Sequence, residues 1–261
     1  MKLLNRIIQY IKYFFRSIHL HGIHSPFVFY IQHEIINEKI PFYAFDDIES
    51  VRAKLLLSQQ EISVKDLGAL GEKRKELKLK INEIARRSLK PEKDAQLLFR
   101  LAYYLKAENI LELGTSLGIT TSYLAKACPN AKIITIEGAP AVAKVAAVNL
   151  KKLDVLNVKQ LVGDFKTELK PALEEFNQLD FVFFDGNHRY QATINYFESC
   201  LPLAHENSIF VFDDIYWSTE MQKAWKKIKS HPSVTVTIDV YSMGIVFFKK
   251  DQAKEDFTVY H

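Results

Sequence analysis

Glycine and proline are scarce in this chain, at 9 and 8 of 261 residues, which leaves no room for long flexible linkers or low-complexity tracts. Cysteine is rarer still. Cys128 and Cys200 are the only two; they stand far apart without metal-type spacing, so a disulfide scaffold is excluded and a reducing, cytoplasmic setting fits. Charge of one sign is not in excess either. The 35 basic and 31 acidic residues leave a net charge of +4, a balance that calls for no nucleic-acid partner. Long apolar runs are missing as well: in the first twenty residues Lys12 and Arg16 interrupt what would otherwise read as a secretory signal or a spanning helix.

What is present is the material of a folded core, with 48% hydrophobic and 25% charged residues. The length suits one large α/β domain with an extension, or two small domains. The first twenty residues form an amphipathic pattern. Leu4, Ile7, Ile8, Ile11, Phe14, Phe15 and Ile18 share one helical face, and Lys2, Arg6, Lys12 and Arg16 occupy the other. Docking of this helix on the domain or on a second subunit, giving a homodimer, is the favoured expectation; a helix lying on a membrane surface is the alternative.

Residues 1 to about 106 read mainly as helices, with an ambiguous stretch near residues 62–66. The charged run 72–88 carries Leu77, Ile81, Ile84 and Ala85 at helical spacing. Ser25-Pro26 reads as a helix end and turn. Pro91 suits the first turn of a helix holding Leu97, Leu98, Leu101 and Leu105. From Asn109 the pattern changes to short apolar runs at 110–113, 132–136, 158–162, 181–184 and 209–212, each apolar on both faces as strands buried in a parallel sheet should be. Helices fit at 118–127, 140–152, 166–176, 189–201 and 218–230. Runs at 234–240 and 245–248 close the pattern as a β-hairpin. The expected fold is a doubly wound, mostly parallel seven-stranded sheet of Rossmann-like α/β class with a terminal hairpin and a helical N-terminal extension. The expected divisions are 1–90 for the extension, 91–250 for the α/β domain and 251–261 for a C-terminal tail.

Open α/β sheets bind ligands at the carboxyl ends of their strands. The first strand there runs into Glu112-Leu113-Gly114-Thr115-Ser116-Leu117-Gly118. Gly114 permits a sharp turn, Gly118 a close helix start, and backbone N–H groups of the turn can meet an anionic group. The spacing lacks the middle glycine that cradles a pyrophosphate, which speaks against a nicotinamide-dependent oxidoreductase. Glu137 ends the second strand, 23 residues beyond Gly114, where a carboxylate can accept two ribose hydroxyls. Asp164 ends the third, with Phe165 beside it. Asp185 ends the fourth and Asp213-Asp214 the fifth.

In this order, the stretch from Glu112 to Gly118 with Glu137, Gly163-Asp164 and Asp185 resembles the class I S-adenosylmethionine-dependent methyltransferases. The Glu-Leu-Gly-Thr-Ser-Leu-Gly form and the Phe-Phe-Asp-Gly-Asn-His run are most similar to its small-molecule O-methyltransferase branch, which includes catechol O-methyltransferase. The resemblance covers about residues 95–250. The segment His21-Gly22-Ile23-His24-Ser25-Pro26-Phe27 resembles an extension found in bacterial members.

The resemblance implies S-adenosylmethionine as cofactor, with Glu112, Gly114, Thr115, Ser116 and Gly118 at its methionine end. It places Glu137 and Gly138 at the ribose, Asp164 and Phe165 by the adenine, and Asp185 next to the sulfonium where a small-molecule acceptor enters. In the metal-using branch an Asp-Asn pair joins this acid to bind magnesium. Here the pair is Asp213-Asp214, so the second residue departs from the pattern, and Asp185, Asp213 and Asp214 make a hard-cation set of three oxygen donors. His188 stands where that branch carries a basic lysine. An imidazole can take a hydroxyl proton near neutral pH, so Asp185 and His188 are the catalytic candidates.

Other features read as bland. His19, His21 and His24 lack nearby carboxylates, and Asp66-Leu67-Gly68-Ala69-Leu70-Gly71 imitates the acid-glycine turn before a charged segment. Tyr216, Trp217 and Trp225 suit an aromatic substrate pocket or one buried helix face. A catalytically silent module that keeps the cofactor pocket is the rival from another class. A nucleic-acid methyltransferase is disfavoured because no Asn-Pro-Pro-Tyr-type pocket for a flipped base follows the fourth strand.

Overall fold

The structure, a computed structural model, describes residues 2–18, 20–65 and 76–261. The acid-glycine imitation at 66–71 and His19 lie outside the described residues. Along the chain, α1 (Lys2–Arg16) and α2 (Pro26–Ile31) precede α3 (Ala44–Leu57), the strands β1 (Glu61–Lys65) and β2 (Glu76–Lys80), α4 (Ile81–Ser88) and α5 (Glu92–Leu105). There follow β3 (Asn109–Leu113), α6 (Ile119–Ala127), β4 (Lys132–Glu137), α7 (Pro140–Lys152), β5 (Val158–Val162) and α8 (Phe165–Glu174). The rest is β6 (Leu179–Phe184), α9 (Tyr190–Cys200), β7 (Ala204–Asp213), α10 (Thr219–Lys229), β8 (Val236–Asp239), β9 (Met243–Phe247) and β10 (Glu255–Thr258). Strands β3 to β10 belong to a mostly parallel eight-stranded sheet with flanking helices.

The chain divides into two compact units, Ile40–Phe176 and Met1–Lys39 with Asn177–His261. In the first, β3, β4 and β5 lie side by side in parallel, with Ile110 opposite Ile133 and Ile133 opposite Val158. β3 and β4 are almost wholly buried, whereas β5 has only half-buried and exposed positions. The expectation of two apolar faces fails there, because β5 is the last strand on its side and has a neighbour on one edge alone. In the second unit the order is β10-β8-β9-β7-β6. β9 lies antiparallel between β7 and β8, so the closing hairpin forms as expected.

Three local readings are corrected. Residues 76–80 are a strand: Leu77 and Leu79 alternate with Lys78 and Lys80, and the strand pairs antiparallel with β1. The N-terminal extension is therefore not wholly helical. Ser25-Pro26 starts a helix, since Ser25 Oγ accepts the N–H of Val28 at 3.4 Å and Pro26 fills the first helical position. Residues 255–258 form β10, parallel to β8, inside the segment read as a tail.

Gly118 sits at φ 80°, and a Cβ built there would lie 3.2 Å from the Ala146 Cβ. Its close neighbour is thus α7 rather than the preceding strand. G118A combines left-handed strain with this contact, so urea denaturation should show a loss of about 2 kcal/mol. An unchanged midpoint would contradict this packing.

Candidate functional site

β3 leads into the glycine turn of the first unit. The turn passes through Gly114 at φ 110°, Ser116 at φ 47° and Gly118 at φ 80°. A serine in the left-handed region costs about 1–2 kcal/mol and needs support. Two contacts supply it: the Ser116 N–H donates to Glu137 Oε2 at 2.8 Å, and Ser116 Oγ lies 2.7 Å from Ser88 Oγ. The N–H groups of Gly114 and Thr115 donate to the Ile136 carbonyl at 3.0 and 3.2 Å, and that of Gly118 to the Thr115 carbonyl at 2.9 Å. Four amides that could have faced an anionic ligand are therefore spent on the shape of the turn. The other Glu137 oxygen accepts the Ala139 N–H at 2.8 Å. Burial pushes the Glu137 carboxyl up, against the opposing pull of the Ala139, Ser116 and Gly138 amides.

Glu112 is fully buried at the end of β3. Its Oε2 accepts the hydroxyls of Thr121 at 2.5 Å and Thr135 at 2.7 Å, and Thr115 Oγ1 lies 2.6 Å from Thr135 Oγ1. Its Oε1 is buried without a hydrogen-bond partner among the described residues. Desolvation dominates, so the carboxyl is pushed up to about 7 despite the two threonines. The folded value exceeds the ordinary 4.5. The group's contribution is therefore full below pH 4.5 and lost as pH rises through about 7, some 3 kcal/mol in all. Denaturation across that window should show E112Q with a flatter pH dependence than the parent chain; parallel curves would refute the assignment.

Asp164 caps α8, its Oδ1 accepting the Lys166 N–H at 2.9 Å, and Phe165 is half-buried at the helix start. The Gly163 N–H donates to the Glu137 carbonyl at 3.0 Å, which brings the end of β5 beside that of β4. Gly138 follows Glu137 in the same loop. Ser88, Thr121 and Thr135 complete this constellation, and sequence reasoning missed all three. A pair of threonines flanking a buried acid was the available signal for two of them; Ser88 gave none.

In the second unit, Asp185 follows β6, β7 ends at Asp213, and Asp214 comes directly after it. One ligand atom each from Asp185, His188 and Asp213 lie within 4.8 Å of one another. His188 Nε2 is 3.6 Å from Asp185 Oδ1 and 3.9 Å from Asp214 Oδ2. Asp213 is buried; Asp185 and His188 are half-buried. Asn187 and Asp214 take positive φ values of 50° and 54°, which bend the two loops that present the cluster. The geometry therefore draws His188 into a donor set with two acids, and Asp214 approaches the same imidazole nitrogen. Two carboxylates and an imidazole suit magnesium with retained waters, and equally a borderline ion such as manganese or zinc.

The three aromatics separate. Trp225 packs beneath Gly244, Tyr216 donates to Asp239 and stacks on Tyr241, and Trp217 is 53% exposed.

Residues 111–215 match a family model described as a methyltransferase domain. The match takes in less than half of the chain. It spans the glycine turn, Glu137, Asp164, Asp185, His188 and both acids after β7. The chain is similar to proteins named catechol O-methyltransferase from Niastella koreensis, 31% identical over 118 residues, and from Mycobacterium tuberculosis, 30% identical over 116. These alignments cover 44% of this chain and 52% and 51% of the relatives, so the chain spans about half the length of the curated relatives it matches. Among solved structures, an SAH-bound methyltransferase from Podospora anserina gives a TM-score of 0.60 at 16% identity, covering 90% of this chain and 99% of that one. The likeness confirms the fold. No described helix is long and apolar enough to cross a membrane.

Proposed function

We propose that this chain is an S-adenosylmethionine-dependent methyltransferase that methylates an oxygen of a small molecule. The observation that carries the reading is Glu112 Oε1, a buried carboxylate oxygen without a partner beside the glycine turn. Such an orphan calls for a donor from a ligand, and the methionine end of the cofactor offers an ammonium group. Gly114, Thr115, Ser116 and Gly118 would shape that end. Glu137 keeps lone pairs beyond those given to its amides, enough for ribose hydroxyls. Gly138, Asp164 and Phe165 would border the nucleoside. When bound, the cofactor supplies a methyl group on a cationic sulfur, open to attack by a nucleophilic oxygen.

The residues of the chain then have positioning as their main task, since aligning the reactants accounts for much of such a rate. Asp185, Asp213 and His188 would hold a divalent cation and through it orient the acceptor. A nitrogen bound to a metal cannot also take a proton, so His188 serves as ligand or as base, and the 3.6 Å approach to Asp185 favours the ligand. The relatives named for catechol support a small hydroxylated acceptor.

Incubation with methyl-labelled S-adenosylmethionine and catechol, with magnesium or with a chelator, tests the proposal. A labelled O-methyl ether formed in the presence of the ion is the expected product. Cofactor binding without any turnover would instead favour the silent module, and oxidation of the acceptor with NAD would sink the reading outright.

A further inference from the structure

Helix α1 is turned inside out relative to an ordinary surface helix. It is held by one edge. The Tyr13 hydroxyl, buried at 3% exposure, donates to the Val259 carbonyl at 2.7 Å, and the Tyr10 ring meets Tyr241 edge-on at 5.0 Å. Just past the helix, the Ile18 N–H donates to the Thr258 carbonyl at 2.8 Å. At 100° per residue, Ile7, Ile8, Ile11, Phe14 and Phe15 share one broad arc that lies away from Tyr13. All five are exposed, from 41% at Ile8 to 82% at Phe15. Tyr260, 45% exposed, extends the patch with its ring 6.1 Å from that of Phe14. A surface helix normally buries this stripe, and a contiguous exposed apolar patch marks an interaction site.

Charge selects the occupant. The helix sequence holds Lys2, Arg6, Lys12 and Arg16 and no acidic residue. A second copy docked on this stripe would leave those cations, which lie on the other side of the helix, without a countercharge. An anionic bilayer meets both requirements: its acyl boundary takes the isoleucines and phenylalanines, and its phosphates attract the exposed Lys12 at the border of that face and Arg16 beyond it. Tyrosine side chains at the border suit the headgroup level. Fifteen residues interrupted by charges are too short and too polar to span. We propose that α1, with Tyr260, seats the protein on an anionic membrane surface, the helix lying flat with its isoleucine–phenylalanine face down. The inference goes beyond the methyltransferase reading and does not rest on it.

Sedimentation of the full chain with vesicles tests it, comparing phosphatidylcholine alone with phosphatidylcholine mixed with phosphatidylglycerol. The chain should bind the anionic vesicles about tenfold more tightly than the neutral ones, and less as salt is raised. I11E/F15E, placed on solvent-facing positions, should keep the parent melting temperature and lose that binding. Absence of binding by the parent chain would overturn the proposal, as would equal binding to both vesicle types. So would a dimer, seen by analytical ultracentrifugation, that I11E/F15E turns into a monomer.

Discussion

Replacing Glu137 by alanine should weaken S-adenosylmethionine binding at least about a hundredfold, because two charge-assisted hydrogen bonds at about 1.5–3 kcal/mol each disappear together. The same change removes the acceptor that holds the Ser116 amide at 2.8 Å. A merely structural role for Glu137 predicts something different: a lower melting temperature with cofactor affinity intact in the protein that remains folded. E137Q separates the two, since it keeps an oxygen for the Ser116 amide and halves the charge-assisted contacts. Calorimetric affinity for E137Q should fall between those of the parent and E137A, with a smaller loss of stability than E137A, since its NH2 group faces the Ala139 amide. Equal affinity across all three would remove Glu137 from the binding site.

The second large effect concerns Asp213. D213N preserves shape at a buried position and removes a charged donor from the set with Asp185 and His188. Its turnover should drop by more than the ~10–100-fold that loss of an outer partner of a metal ligand typically costs. Cofactor affinity should stay within about twofold of the parent, because the proposal gives Asp213 a role towards the acceptor and none towards the cofactor. H188N distinguishes the two roles of the imidazole. As a ligand, its loss raises the ion concentration needed for half-maximal rate; as a base, its loss lowers the rate at every ion concentration. Full activity of D213N in the presence of a chelator would exclude a metal from the reaction.

Strand positions were legible where burial is strongest. Ile110–Leu113 and the Phe181–Phe184 run sit among residues with almost no exposure, and an apolar run tolerates no other placement. Legibility failed where a partner, not the side chains, makes the strand. Glu255-Asp256-Phe257-Thr258 has no apolar alternation and becomes β10 through its parallel pairing with β8. Residues 76–80 carried a period of two, masked by leucine and lysine, which also rank high as helix formers.

The site shows the same division. Gly114, Gly118 and Glu137 could be picked out because backbone geometry and position restrict their types. The lateral support from Ser88 on α4 depends on a tertiary neighbour and had no mark of its own, while the threonine pair around Glu112 carried a signal that becomes readable once the acid is known to be buried. His188 was legible as a residue of interest and not in its contacts, since its approach to Asp185 and Asp214 depends on how the two loops bend.

Titration calorimetry of the parent chain with S-adenosylmethionine, S-adenosylhomocysteine and NAD decides the central claim most directly. Saturable one-to-one binding of both sulfur compounds, lost in E137A, with no heat from NAD, is the predicted result. Binding of NAD in their place, or sulfur-compound binding that E137A leaves untouched, would contradict it.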